Sequence, residues 1–122
     1  MKRQPLILFI DSDVDSCEIM EILMSRIGFQ VISSQSAQDA IGLARDTFFS
    51  MIISEYLLHD GDPWQMCSAI KALDPHVPIV FYSRESRTEH RQRGIQAGAH
   101  AFLVKPNDLD HIEKTVMDLA LV

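Results

Sequence analysis

Four short apolar runs in this sequence each end on side chains able to do chemistry. Asp11-Ser12-Asp13 follows Leu6 to Ile10, Glu55 follows Met51-Ile52-Ile53-Ser54, Ser83 follows Val77 to Tyr82, and Lys105-Pro106 follows Ala101 to Val104. Carboxylates gathered with one amine and one hydroxyl meet the needs of phosphoryl transfer onto a carboxylate: a nucleophile, acids to hold Mg2+, and donors for the phosphoryl oxygens. Each residue also has a plainer role. Asp11, Ser12 and Asp13 suit the turn and cap before a helix, and Glu55 or Lys105 alone would pass for a solvated charge. Other chemistries find no support: the sequence has no Gly-rich phosphate loop, P-loop, GxSxG elbow or Cys/His nucleophile pair. Cys17 and Cys67 stand in no CxxC or Cys/His spacing, and the histidines share no ligand spacing, so zinc is not indicated.

These positions meet only if the four runs are neighbouring strands, and the intervening segments bear that out. Val14, Cys17, Met20, Leu23, Met24 and Ile27 recur at helical spacing until Gly28 stops the pattern. Phe29 to Ser33 reads as another strand, and Ser36 can cap a helix through Ala40, Ile41 and Ala44 to about Asp46. Asp62-Pro63 has the form of a helix start, with Met66, Ile70 and Leu73 continuing it. A helix from about Ser86 to Ala97 ends at Gly98, and Asn107 or Asp108 caps a last helix carrying Leu109, Ile112, Val116 and Leu119. Five strand–helix repeats predict an α/β fold: a parallel sheet covered by helices on both faces, its functional groups at the carboxyl edge.

The composition sets limits on function. At 122 residues, 47% of them hydrophobic, the chain is expected to form one domain over residues 1–122, whether alone or within a longer parent protein. A formal charge of −6 argues against direct nucleic-acid contact. The apolar segment before Asp11 is too short for a signal peptide or a membrane span, so a cytoplasmic location is expected. Cys17 and Cys67 are expected to be buried thiols, and Met20, Met24, Met51, Met66 and Met117 to fill the core.

The order and spacing of the strand-end residues resemble the receiver domain of two-component response regulators, from Leu6 to about Leu119. The resemblance is strongest in Ala97-Gly98-Ala99 with Phe102-Leu103-Val104-Lys105-Pro106, and in Val77-Pro78-Ile79-Val80 leading to Ser83. It implies a three-layer, flavodoxin-like (βα)5 fold with strand order 2-1-3-4-5. It assigns Lys105 to contact with the phosphoryl group, Pro106 as its cis-proline partner, Ser83 and Phe102 as the switch pair, and Asp11 as the first of two Mg2+-binding acids.

Two positions depart from that pattern. Ser12 stands where the second, more directly coordinating acid belongs, and Asp13, beyond the pair, is a doubtful replacement; Mg2+ binding is accordingly expected to be weak. Glu55 stands at the phosphoacceptor aspartate, its carboxylate advanced by about 1.5 Å, an error that in-line attack tolerates poorly. His59 replaces a common proline, and Phe102 a frequent tyrosine. The expectation is an atypical receiver, not an enzyme, that acts through protein contacts without aspartyl phosphorylation. The alternative is a receiver accepting phosphate on Asp11, Asp13 or Asp60. Expected partners are a sensor kinase or downstream signalling protein. The face of the fourth helix, fifth strand and fifth helix, with Arg84, Arg87, Arg91 and Arg93 against Asp108, Asp110, Glu113 and Asp118, is a candidate homodimer surface, and Trp64 a candidate contact residue.

Overall fold

The continuous apolar runs become strands covered on both sides, because every second side chain of a strand turns to the opposite face. A computed structural model describes residues 5–85, 87–105 and 109–120. Its elements are β1 (Leu6–Ile10), α1 (Val14–Arg26), β2 (Gln30–Ser34), α2 (Ala37–Asp46), β3 (Met51–Ser54), α3 (Pro63–Leu73), β4 (Ile79–Ser83), α4 (Thr88–Gln96), β5 (Ala101–Val104) and α5 (Leu109–Ala120). The strands form one parallel sheet in the order β2-β1-β3-β4-β5. The expected flavodoxin-like architecture and strand order are therefore present.

The alternation divides the core in two. Ile7, Phe9, Met51, Ile53, Val80 and Tyr82 pack with Cys17, Met20 and Met24 of α1 and Ile112 and Val116 of α5. Leu8, Ile10, Ile52, Ile79 and Phe81 turn the other way, onto Ala37 and Ala40 of α2 and Met66, Cys67 and Ile70 of α3. Both cysteines are buried free thiols, as expected. Met117 is a correction: it is 41% exposed, because its neighbour Val116 takes the inward position on α5.

Some boundaries shift for local reasons. β2 begins at Gln30 because the Phe29 N–H donates back to Met24 O and closes the end of α1, with Gly28 at φ +90°. β4 begins at Ile79 because the Val77 N–H donates to Asp74 O in a turn and Pro78 has no N–H to offer. Ser36 and Asp62 cap α2 and α3 through Asp39 N–H and Trp64 N–H. α4 starts later than expected, at Thr88, without a side-chain cap. Ser86, Pro106, Asn107 and Asp108 lie outside the described residues.

Candidate functional site

The sheet places its reactive residues by continuing the hydrogen-bond ladder one residue past the strands. Asp11 N–H donates to Ser34 O at 3.0 Å, Glu55 N–H to Ile10 O at 2.8 Å, and Lys105 N–H to Ser83 O at 2.8 Å. Backbone pairing between adjacent strands thus fixes where three charged side chains begin, and all three lie at the carboxyl edge beside Ser83.

Their side chains converge. Lys105 Nζ is 2.5 Å from Asp11 Oδ2 and 3.2 Å from Glu55 Oε2, and it lies over the Tyr82 ring, 5.4 Å from the centroid. The other Glu55 oxygen, Oε1, accepts a short hydrogen bond from Ser83 Oγ. Ser83 Oγ in turn accepts Glu85 N–H at 3.1 Å. The cluster is largely dry: side-chain exposure is 5% for Asp11, 12% for Glu55 and 13% for Lys105. Burial on its own would favour the neutral amine. The hydrogen bond and charge of Asp11, joined by the charge of Glu55, outweigh it and hold the Lys105 amine above the ordinary lysine range.

The Asp13 carboxylate makes no hydrogen bond or salt bridge with this cluster, which it touches only through its backbone N–H, donated to Asp11 Oδ1 at 2.9 Å. It caps α1, with Oδ1 accepting Asp15 N–H at 3.2 Å and Oδ2 accepting Ser16 Oγ–H at 2.9 Å, and the Ser16 bond leads in keeping its carboxyl below the usual range. Asp60 faces another helix. Its two oxygens accept Ala37 N–H at 2.8 Å and Gln38 N–H at 3.0 Å, bonds that also lower its pKa. The loop between β3 and α3 is thereby fastened to the start of α2, and Gly61 lets it approach closely, since a Cβ there would lie 3.1 Å from Ala37 Cβ.

The Mg2+ implied by the resemblance does not fit the donor set. Asp11 Oδ1 accepts Asp13 N–H at 2.9 Å and Oδ2 accepts the lysine; both Glu55 oxygens have partners; Asp13 serves the helix; and Ser12 brings no charge. Among the described residues no group of three or more His, Cys, Asp or Glu side chains is arranged to hold a metal ion.

An aromatic cluster adjoins the site, and the sequence reading identified only Phe102 of it. Tyr56, next to Glu55, has its ring centroid 5.2 Å from Phe81, 5.3 Å from His90 and 5.4 Å from Phe102. Phe102 is buried, and α4 comes close to it at Gly94, where a Cβ would stand 2.9 Å from Phe102 Cδ2 and 3.1 Å from Phe81 Cδ2. Glu85 was also missed. It pairs with Arg87 at 2.9 Å, and that hydrogen bond leads in lowering its pKa to about 2. Trp64, at the start of α3, is 38% exposed.

Comparison with known proteins agrees with the fold. The chain is 31% identical over 110 residues to the transcriptional regulatory protein ZraR of Salmonella typhimurium, covering 90% of this chain and 25% of that protein. It is 31% identical over 113 residues to the C4-dicarboxylate transport transcriptional regulatory protein DctD of Rhizobium meliloti, covering 92% of this chain and 24% of that one. It thus spans about a quarter of the length of these curated relatives. A two-component response regulator from Clostridium difficile superposes with a TM-score of 0.88 at 26% identity, 95% of each chain being covered. The chemotaxis protein CheY4 of Vibrio cholerae shares the fold, with a TM-score of 0.87 at 21% identity over 96% of this chain and 99% of that one. The pattern of the family described as Response regulator receiver domain matches residues 7–117. On that match, and on a sheet that brings the expected strand ends together, the chain belongs to the response regulator receiver domain family of two-component signalling.

Proposed function

We propose that this receiver domain signals through protein contacts without aspartyl phosphorylation, with Glu55 standing permanently where a receiver would be phosphorylated. One observation carries the proposal: a single carboxylate, Glu55, engages both the Ser83 hydroxyl and the Lys105 amine. Those are the two donors that an incoming phosphoryl group would draw on. The imitation is partial, one negative charge against about one and a half to two on a phosphoryl group.

The donor set supports the same reading, since Ser12 withholds an acid and Lys105 is paired with both Asp11 and Glu55. Phosphate transfer onto another carboxylate is less well supported, because Asp11 is paired with Lys105 while Asp13 and Asp60 cap helices. The domain is then an interaction module and not an enzyme, acting from the cytoplasm as a unit of its own or of a longer protein, on a sensor kinase or a downstream signalling protein. No helix of the described residues is long and apolar enough to cross a membrane, and the acidic balance disfavours direct nucleic-acid contact. The exposed Arg84, Arg87, Arg91 and Arg93 around α4, with Asp110 and Asp118 exposed on α5, support the face of α4, β5 and α5 as a surface for a partner or a second copy.

Incubation with acetyl phosphate and Mg2+, followed by intact-mass spectrometry and hydroxylamine treatment, tests this. The expected result is an unmodified mass. Stoichiometric, hydroxylamine-sensitive phosphate on any carboxylate would overturn the proposal.

A further inference from the structure

We infer that the Lys105 ammonium is the resident cation of this site, holding the place between Asp11 and Glu55 that a divalent ion would need, and that removing it turns the pair into a divalent-cation site. The inference deepens the phosphorylation-independent reading and rests on it, since a carboxylate that takes no phosphate has no use for the metal that would bind one.

Charge and geometry carry it. Asp11 and Glu55 bring two negative charges to a nearly dry pocket, and Lys105 returns one positive charge within 2.5 Å and 3.2 Å of their oxygens. The remainder is a single negative charge, with Ser12 neutral and Asp13 committed to the α1 cap. A dication entering this arrangement would leave an excess positive charge beside a buried ammonium and compete for the same Oδ2 and Oε2 atoms. Mg2+ also demands oxygen contacts of about 2.0–2.1 Å in octahedral array, whereas each oxygen of the pair already has a hydrogen-bonded or ionic partner. Without the ammonium, two carboxylates would share the pocket uncompensated, and one dication would balance them.

Mn2+ is the probe: its paramagnetism broadens amide signals near a bound ion in two-dimensional NMR spectra of the full chain. In the wild type, Asp11 and Glu55 amides are expected to show no selective, saturable broadening up to roughly 10⁻³ M Mn2+, the weak end of protein divalent sites. Lys105→Met is expected to show it, with an apparent affinity at least about tenfold tighter than any wild-type response, a difference of about 1.4 kcal/mol. The effect should disappear in Lys105→Met with Asp11→Asn and be competed by Mg2+. Selective broadening in the wild type at the same concentration, or a Lys105→Met variant that binds no tighter, would overturn the inference. If Lys105→Met does not fold, Lys105→Gln replaces it, and the wild-type titration alone still decides against the inference if positive. Failure here is distinguishable from failure of the functional reading. Phosphate incorporation without Mn2+ binding at Asp11 and Glu55 defeats that reading alone, and Mn2+ binding without phosphate defeats the resident cation alone.

Discussion

Lys105→Met removes the ammonium while keeping most of the apolar stem, and the structure allows its cost to be worked out. Asp11 Oδ2 and Glu55 Oε2 can be no farther apart than the sum of their distances to Nζ, 5.7 Å. Two unit charges at that separation repel by roughly 3 kcal/mol at an effective dielectric of about 20. Breaking a fully buried pair by removing one partner typically costs about 3–5 kcal/mol. The slight exposure of Glu55 and the retained Ser83 hydrogen bond reduce this, so the expected loss at neutral pH is about 2–4 kcal/mol. A domain of ordinary stability, about 5–15 kcal/mol, survives that. Urea unfolding of wild type and variant measures it. The pH dependence supplies a second check. Repulsion raises the proton affinity of the folded pair above the unfolded carboxyl value of about 4. The folded variant therefore binds a proton that the unfolded chain does not, and its stability relative to wild type rises as the pH falls towards that value. A neutral-pH loss under about 1 kcal/mol, or a gap that stays constant as the pH falls, would refute the reasoning.

Other perturbations have equally definite outcomes. Asp60→Asn should lower the melting temperature at pH 7. Because the Ala37 and Gln38 amides depress the folded Asp60 pKa, its stabilisation is complete above the unfolded value of about 3.9 and is lost as the pH falls through the folded one, so the gap between variant and wild-type melts should narrow in acid. Gly94→Ala gains about 1 kcal/mol of helix propensity but forces a methyl to within 2.9 Å of Phe102, an overpacking of about 1–3 kcal/mol, so a net loss of about 1 kcal/mol by denaturant unfolding is expected. Glu55→Asp alone should stay unlabelled by acetyl phosphate and Mg2+, whereas Ser12→Asp with Glu55→Asp restores both departures and should take hydroxylamine-sensitive phosphate, read by intact mass.

The sequence made the sheet and the strand-end cluster legible because both depend on local pattern. Continuous apolar runs announce strands buried on two faces, and a parallel sheet then gathers whatever follows Ile10, Ser54, Tyr82 and Val104. The contact between Glu55 and Lys105 follows from that logic, and so does the cap at Asp62. Less legible was anything supplied from far along the chain. The α2 N-terminus donates two hydrogen bonds to Asp60, more than twenty residues later, and no spacing rule links them. Tyr56 reads as the start of a loop because it follows a charged residue, yet it is buried against Phe81 and Phe102. Gly94 reads as an ordinary helix residue until the rings behind it are located. Met117 was misread for a simpler reason: methionine serves on either side of a helix, and only packing decides which.

The ion pair between Lys105 and Asp11 joins residues 94 positions apart, one just past β1 and the other just past β5. A ribosome delivers Asp11 and Glu55 long before Lys105, and chains are made in that direction at about 5–20 residues per second. Until Lys105 is made, then, the nascent chain carries two acids destined for one pocket and no cation to place between them. β5 and its lysine close the sheet edge and neutralise the pair in a single late event, which ties completion of the charge cluster to arrival of the last strand. A chain truncated before residue 105 would hold the same acids and most of the same core, but with their mutual repulsion uncancelled.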